Sequence, residues 1–205
     1  MFVILCGKSA SGKDTLSKSL QKCGYIPIVS VTDRPMRQNE KEGVEYYFKT
    51  PSEFSKLIKN DKFIEHRSYT TKYNNKKAIF RYGTESFELD HNKNYVAIKD
   101  PASAAILKEY GGDEAIVIYL DIPDEVRKSR CINRGDFDET EWNRRLERDS
   151  IDFSNDKLEG VVDHSIDGTT WKTNDLVEYV LEVCEERKKS IECIDKEYSD
   201  IFPEK

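Results

Sequence analysis

A glycine-framed segment near the start of the chain carries the strongest chemical signal. It reads GKSASGKDT from Gly7 to Thr15, with the spacing GxxxxGK, between an apolar run and a helical pattern. Glycines let such a loop wrap so that its backbone N–H groups point at a phosphate, and the following helix adds its positive N-terminal end. Lys13 occupies the motif position whose lysine reaches the β- and γ-phosphates of a nucleotide. Because an apolar run precedes the loop and a helical pattern follows it, a glycine loop that arose by chance is the weaker alternative. The predicted nucleotide-binding residues are Gly7, Ser9, Ala10, Ser11, Gly12, Lys13, Asp14 and Thr15.

The residue after this lysine departs from the motif. Ser or Thr usually occupies that position and binds Mg²⁺ through its hydroxyl, whereas this chain has Asp14 followed by Thr15. A carboxylate is a hard oxygen ligand that suits Mg²⁺, but it also repels phosphate. We expect Asp14 to be a ligand of the metal, because Lys13 and Mg²⁺ offset its charge.

Two arginines on either side of a proline, Arg34 and Arg37, offer a site for a second phosphate. A guanidinium group pairs bidentately with phosphate oxygens, and Pro35 stiffens the loop between the two. A tyrosine hydroxyl from Tyr46 completes the predicted anion pocket. The alternative is a solvated basic turn, because exposed ion pairs are common and weak.

A third group of arginines follows position 123, on two predicted helices joined by a loop. In phosphoryl transfer such residues neutralise charge on the transferring group. The first three fall at i, i+3 and i+7 and so share one helix face. The alternative is pairing with surface carboxylates, and we expect it for Arg127, Arg144 and Arg148. The carboxylates are those of Asp124, Glu139, Glu141 and Glu147. The six residues are Arg127, Arg130, Arg134, Arg144, Arg145 and Arg148.

Short apolar runs that alternate with helical patterns must position these groups. The runs at 2–6, 95–98 and 115–121 are uninterrupted, as buried parallel strands are. Alternating strands and helices favour an α/β fold in which helices cover both faces of a parallel sheet. Further helices are predicted over 13–23, 101–110, 123–134, 140–150 and 171–188.

The segment between the first two apolar runs, 2–6 and 95–98, has a different pattern in its second half. A short helix is predicted over 52–60 from a Ser-Glu capping signature, and another helix over 85–91. Strands are predicted over 62–66 and 78–82, on either side of a polar insert at 68–77.

Composition excludes several classes of protein. The 205 residues include 33 basic and 39 acidic side chains, for a net charge of −6, which argues against a general nucleic-acid binder. No apolar run approaches the roughly 18 residues of a membrane span, and the first residues resemble a strand more than a signal peptide. Five cysteines and three histidines are scattered without metal-site spacing, so we predict reduced thiols, no resident metal cluster and a cytoplasmic location.

The arginine loop resembles a signature of the guanylate kinase family. That signature has the form SxxxRxxRxxExxGxxYxF, and the match extends from Met1 to about Val183. The resemblance implies that the acceptor phosphate is held by Ser30, Arg34, Arg37 and Tyr46. The matching residues are Ser30, Arg34, Arg37, Glu40, Gly43, Tyr46 and Phe48.

Other positions extend the resemblance to the acceptor base. Glu65 matches the family carboxylate that accepts N1–H and N2–H of guanine, and Tyr82-Gly83-Thr84 matches the family's Tyr-Gly-Ser/Thr. The implied roles are phosphate binding for Tyr82 and a bond from Thr84 to guanine O6. Taken alone, Glu65 fits a solvated strand residue and Tyr82 a core aromatic.

The resemblance also assigns the charged groups of the reaction. It aligns Arg134 and Arg145 with two arginines of the family's lid and Arg130 with a third basic position. Asp100 matches an aspartate near the acceptor and Mg²⁺, although Ile98 replaces the first carboxylate of the family's Asp-x-Asp. The implied catalytic residues are Lys13, Arg34, Arg130, Arg134 and Arg145.

These matches lead to an overall prediction. We expect a P-loop NTPase three-layer sandwich with a parallel core sheet, an acceptor-binding lobe at 33–92, a helical lid at 127–156 and a tail at 191–205. The core comprises 1–32, 93–126 and 157–190, and the whole is one domain. The expected activity is phosphorylation of GMP or dGMP by ATP with Mg²⁺, in a monomer or homodimer that binds no nucleic acid and no membrane. The alternatives are a related kinase for another nucleoside monophosphate or a sugar phosphate, and a non-catalytic binding module.

Overall fold

The computed structural model describes residues 1–38, 40–73, 76–135 and 137–201 and confirms an α/β fold with a parallel five-stranded core sheet. The predicted insert at 68–77, the lid and the tail each contain residues that lie outside those described. The strands are β1 (Phe2–Gly7), β2 (Ile26–Ile28), β3 (Val31–Thr32), β4 (Tyr47–Phe48), β5 (Phe63–Tyr73), β6 (Lys76–Glu85), β7 (Tyr95–Ile98), β8 (Ala115–Asp121) and β9 (His164–Asp167). The helices are α1 (Lys13–Lys22), α2 (Pro51–Lys59), α3 (Pro101–Gly111), α4 (Asp124–Arg134), α5 (Glu139–Asp152), α6 (Asn155–Leu158) and α7 (Thr173–Ile201).

The core sheet has the strand order β2-β7-β1-β8-β9. β1 pairs in parallel with both β7 and β8, and all six of its residues are buried. On one face Val3 and Leu5 belong to an apolar cluster with residues of α1 and α7. On the other face α3 packs against β1 and β8, where the ring of Phe2 lies so close to Gly111 that a Cβ there would be 2.9 Å from it. Helices therefore cover both faces of a continuously apolar sheet, as the strand pattern predicted.

The chain forms two compact units. The core unit contains Met1–Ile26 and His91–Lys205, and the second unit, the lobe, contains Pro27–Asp90. The lobe has its own four-stranded sheet in the order β4-β3-β6-β5. The sequence-based boundaries of the lid and tail, and their place within one domain, remain predictions.

The lobe differs from the sequence-based prediction in three places. The predicted insert is not a loop between short strands, because β5 and β6 pair from Phe63–Glu85 to Tyr73–Lys76 and the polar residues extend both strands. The segment 85–91 is not helical. The helix predicted at 52–60 is confirmed, but its capping box is formed by Thr50 and Glu53. A capping box joins residues three positions apart, and Ser52 is adjacent to Glu53.

The C-terminal helix α7 extends through the predicted end at 188 as far as Ile201. Its face toward the sheet contributes Val180, Val183 and Cys184 to the core cluster. In the part of the chain that the structure describes, no helix combines the length and apolar character required to cross a membrane.

Candidate active site

The glycine loop of the core unit has the shape that its sequence predicts. Ser11 N donates to Lys8 O at 3.2 Å, which closes the turn. Gly12 has φ 105° and begins α1 without a side-chain cap, so a residue with a Cβ would be strained there. Ala10 also has a positive φ, 62°. The loop therefore turns sharply between Lys8 and Gly12 and includes one left-handed alanine.

Lys13 is held by its own loop. Its Nζ donates to Gly7 O at 2.6 Å, to Lys8 O at 2.9 Å and to Ser11 Oγ at 3.3 Å. Burial lowers the pKa of Lys13, while the carboxylates of Asp14 and Asp149 act in the opposite direction. These bonds place the ammonium group inside the loop, where a phosphate is expected.

Arg127 was predicted to form a surface ion pair, and this prediction is wrong. The residue is fully buried, and its guanidinium carbon lies 5.3 Å from the centre of the Trp142 ring. It pairs with Asp124 as expected, but also with Asp149 of α5. Asp149 in turn accepts a bond from Ser9 N at 2.8 Å. Neither residue was predicted to support the loop, because contacts between α4, α5 and the loop depend on tertiary packing.

A cavity of about 230 Å³ opens beside the loop and α1. Arg130 borders it and donates to Ser11 O at 2.8 Å and to Gly168 O at 3.4 Å. Trp171 lines the cavity as well and remains 39% exposed. Sequence reasoning identified Arg130 but missed Trp171 and Gly168, although a tryptophan in an exposed loop before a helix is itself a signal for binding.

The other two predicted lid arginines lie at the surface of α4 and α5. Arg134 is exposed and donates to Cys131 Sγ at 3.3 Å. Arg145 donates to Glu141 Oε1 at 2.8 Å, and Arg144 bonds to the same carboxylate. The hydrogen bond from Arg144 is the main cause that lowers the pKa of Glu141 to about 2, and the bond from Arg145 adds to it. Burial acts in the opposite direction. The pairing of Arg144 with Glu141 is as predicted, whereas Arg148 pairs with Asp152.

Two side chains with oxygen atoms that could bind Mg²⁺ lie in the first turn of α1. Asp14 and Thr15 are both exposed there. Asp100 lies two residues after β7 and caps α3, accepting from Ser103 N at 3.0 Å. Within the described residues no set of three or more His, Cys, Asp or Glu side chains is arranged to hold a metal ion. This donor set fits Mg²⁺ that arrives with nucleotide phosphates, since that ion keeps several waters and binds only one or two carboxylates.

The first arginine of the lobe, Arg34, is held in place from several sides. It is 7% exposed, and its NH2 donates to Glu40 Oε1 at 2.7 Å. Its guanidinium carbon lies 5.4 Å from the ring centre of Tyr46 and 5.7 Å from that of Phe48. Burial alone lowers the pKa of Arg34, but Glu40 and Tyr82 outweigh it and the net shift is upward. Glu40 therefore aims the guanidinium, and the alternative of a solvated turn does not apply to Arg34.

The remaining phosphate-binding candidates of the lobe are more open. Arg37 has a side chain that is 61% exposed, 3.9 Å from Glu40. Tyr46 and Tyr82 pack edge to face with centroids 5.6 Å apart. Ser30 accepts a bond from Tyr47 N through its carbonyl oxygen at 2.9 Å. The structure thus gives the lobe one buried and one exposed arginine beside an aromatic pair.

Glu65 and Thr84 form a buried pair on adjacent strands of the lobe. They are register partners in β5 and β6, with exposed fractions of 6% and 1%, and Thr84 Oγ1 donates to Glu65 Oε1 at 2.6 Å. Gly83 beside them admits no side chain, because a Cβ would lie 2.8 Å from the Phe63 ring. The alternative of a solvated Glu65 is therefore excluded.

A second buried ion pair, missed in the sequence, supports the lobe. Asp33 accepts from Arg81 N and Arg81 Nε, both at 2.6 Å, and its side chain is 4% exposed. Arg81 also donates to Pro51 O at 2.7 Å. Because Asp33 precedes Arg34 and Arg81 precedes Tyr82, this pair fixes the backbone next to two predicted phosphate contacts.

The fold and the glycine loop define a class of α/β kinases. The structure is similar to guanylate kinase from Anaplasma phagocytophilum, with a TM-score of 0.64, 21% sequence identity and coverage of 91% of this chain and 85% of that one. It is also similar to shikimate kinase from Acinetobacter baumannii, with a TM-score of 0.50, 14% identity and coverage of 91% and 94%. At these identities the likeness concerns the fold alone.

The chain belongs to the guanylate kinase family, whose sequence profile, described as guanylate kinase, matches residues 1–179. It is 34% identical over 142 residues to a guanylate kinase of Bacteroides fragilis, which covers 65% of each chain. It is 34% identical over 164 residues to that of Mycoplasma genitalium, covering 73% of this chain and 62% of that protein. The chain therefore spans less than two thirds of the length of these curated relatives.

Proposed function

We propose that the protein is a guanylate kinase that transfers the γ-phosphoryl group of MgATP to GMP or dGMP. The observation that carries this proposal is the buried pair of Glu65 and Thr84. Guanine presents two adjacent donors, N1–H and N2–H₂, to an acceptor such as the Glu65 carboxylate. The Thr84 hydroxyl can then turn from Glu65 to the O6 of the base. A buried carboxylate of this kind suits a base that returns hydrogen bonds to it.

Side chains of the lobe are proposed to hold the acceptor phosphate. Arg34 supplies an oriented guanidinium, and Arg37 supplies a second one that is exposed to solvent. The acceptor oxygen is already ionised near neutral pH, so the reaction needs no general base. The full set of proposed acceptor contacts is Ser30, Arg34, Arg37, Tyr46, Glu65, Tyr82, Gly83, Thr84 and Asp100.

Residues of the core unit are proposed to hold the donor. The bond from the γ-phosphorus to the β-phosphate oxygen breaks as the bond to the acceptor oxygen forms, and Lys13 stabilises the charge that develops. Arg130, Arg134 and Arg145 are proposed to neutralise the transferring group, after Arg145 leaves Glu141. Mg²⁺, held with the nucleotide by Asp14, supplies further charge neutralisation. Catalysis is then positioning and electrostatic stabilisation.

The cavity beside the loop is proposed to take the donor base. Trp171 offers a flat face on which adenine can stack. The bond from Arg130 NH1 to Ser11 O holds the guanidinium at the rim of the cavity, on the side of the glycine loop. This assignment keeps the base next to the loop that binds its phosphates.

The test is a coupled assay of ADP release with MgATP against GMP, dGMP, AMP, CMP, UMP and dTMP. Release confined to GMP and dGMP supports the proposal. Release with another monophosphate would support the kinase reaction and indicate recognition of a different base. Arg67 and Tyr69, on the same face of β5 as Glu65, are the next candidates for contacts with that base. Binding of ATP without acceptor-dependent release contradicts the kinase proposal and favours a binding module.

A conservative variant sharpens that assay. Glu65→Gln keeps the size of the side chain but presents an amide N–H₂ to a base that itself donates. We expect kcat/KM for GMP to fall by about a hundredfold or more, because a buried donor pair is left unsatisfied. The affinity for MgATP should not change. Equal kcat/KM values for GMP in both proteins would contradict guanine recognition by Glu65.

A further inference from the structure

A buried ion pair behind the glycine loop has no part in the phosphate contacts proposed above. Arg127 of α4 is fully buried, and Asp149 of α5 is 7% exposed. Arg127 NH1 and Asp149 Oδ2 are 3.0 Å apart. A buried pair adds little net stability compared with apolar residues, because the loss of hydration offsets the attraction. Stability is therefore a weak explanation for its presence.

Both members of the pair bond to the backbone of the same loop residue. Ser9 N donates to Asp149 Oδ2 at 2.8 Å, and Arg127 NH1 donates to Ser9 O at 2.7 Å. The two bonds fix the peptide groups before and after Ser9. The second of these peptide groups leads into Ala10, whose φ of 62° is left-handed and unfavourable for a residue with a Cβ.

The guanidinium of Arg127 has no freedom to turn away from this position. Its Nε donates to Ile122 O at 3.2 Å, its NH2 pairs with Asp124, and its plane lies against Trp142. A fork of fixed donors is pre-organised for several acceptors at once. The support for Ser9 is therefore rigid.

We propose that Arg127 and Asp149 are positioning residues for the donor nucleotide. They hold Ser9 so that Ala10 keeps its left-handed conformation and the following N–H groups of the loop point at phosphate. The same pair ties α4 and α5 to the loop, one turn from Arg130 and one turn from Arg145. This proposal rests on the binding of MgATP in the proposed function.

The test removes both charges together, in the variant Arg127→Leu/Asp149→Ala, so that neither is left buried without a partner. The affinity for MgATP is measured by calorimetry without any acceptor, and the Tm is measured beside it. We expect a Kd about tenfold weaker, the equivalent of one charged hydrogen bond, with a Tm close to that of the wild type. Adding Ala10→Gly should restore most of the lost affinity, because glycine adopts the left-handed conformation without strain.

A matched control pair lies on α5 itself. Arg148 donates to Asp152 at 3.0 Å, and the variant Arg148→Leu/Asp152→Ala should bind MgATP as the wild type does. If the first double variant does not fold, Arg127→Lys replaces it. Lysine keeps the charge but cannot span Ser9 O, Ile122 O and Asp149 at once, so we expect a Kd about fivefold weaker.

The outcomes separate the two proposals. Unchanged affinity in the double variant, or in Arg127→Lys, would overturn the positioning role and leave the kinase proposal intact. Weakened affinity that Ala10→Gly does not restore would overturn the support of Ala10 as the mechanism. A wild-type protein that does not bind MgATP would contradict the proposed function itself.

Discussion

The two regions predicted to bind phosphate hold their binding groups in opposite ways. In the core unit the predicted binding groups are backbone N–H groups of the loop, and the side chains of Arg127 and Asp149 bond to that backbone at Ser9. In the lobe the binding groups are side chains, and Arg34 is aimed by Glu40 and by two aromatic rings. Backbone donors depend on glycine spacing, whereas side-chain donors depend on the neighbours that orient them. The first kind of site is therefore readable as a motif, and the second only in part.

The largest expected difference between the two regions concerns Lys13. Replacement by methionine, Lys13→Met, removes the ammonium group that bonds to the carbonyl oxygens of Gly7 and Lys8 and keeps an unbranched side chain. We expect kcat to fall about a thousandfold, as when a preorganised donor of a transition-state charge is removed. The KM for the acceptor should change little, since the lobe holds it.

Steady-state kinetics with saturating GMP check this expectation, and Lys18→Met, an exposed lysine on the same helix, is the control. If Lys13→Met weakened acceptor binding and left kcat unchanged, the proposal that the core unit binds the donor and the lobe binds the acceptor would be contradicted. A loss shared by the control would point to the helix and not to the loop.

The next effect concerns the ion pair of the lobe. Arg81→Met leaves the Asp33 carboxylate, 4% exposed, without its cation, and we expect a loss of about 3 kcal/mol in the free energy of unfolding. The double variant Asp33→Asn/Arg81→Met should recover most of it. Urea unfolding measures both.

The kinetics of the double variant sharpen the comparison. If the lobe pair positions Arg34 and Tyr82 as Arg127 and Asp149 position Ser9, the KM for GMP should rise although stability returns. A KM equal to that of the wild type would make the lobe pair structural only, and the parallel between the two regions would fail.

The smallest effect is a pH dependence at Glu141. The folded-state pKa of about 2 lies below the ordinary 4.5, so the stabilisation is present above about pH 4.5 and is lost as the pH falls toward 2. The side chain is 38% exposed, and solvent screening reduces the contribution to about 1 kcal/mol. Thermal unfolding between pH 5 and 2 should show a shallower fall in Tm for Glu141→Gln than for the wild type. Parallel curves for both proteins would contradict a lowered pKa of Glu141 in the folded state.

The regular elements of the core unit could be predicted because their signals are local. Uninterrupted apolar runs identified β1, β7 and β8, and the loop motif fixed the start of α1 at Lys13. The full length of the β5–β6 hairpin was harder to predict. Thr70 of β5 and Lys77 of β6 are polar and exposed, as residues on the solvated face of an antiparallel pair can be. The helix predicted at 85–91 had no apolar periodicity that packing against the lobe could use.

The site residues also fall into those with a local sequence signal and those whose surroundings depend on tertiary contacts. Lys13, Arg34 and Glu65 belong to motifs with fixed spacing, so the sequence could single them out, and their roles remain predictions. Arg127 looked like a surface residue because its partner Asp149 lies on another helix, far along the chain. A buried charge can be recognised only when the element that covers it is known, and no pattern within one helix contains that information.

The division of the chain into units also affects the order in which it can fold. The lobe is one continuous segment, Pro27–Asp90, whereas the core unit is assembled from two segments on either side of it. Pairing of β1 with β7 must therefore close a loop that contains the whole lobe, and the entropy lost grows with the length of free chain in that loop. The β5–β6 hairpin has mostly local contacts and can form first. Once it has formed, the effective loop is shorter and the parallel core sheet costs less entropy to complete.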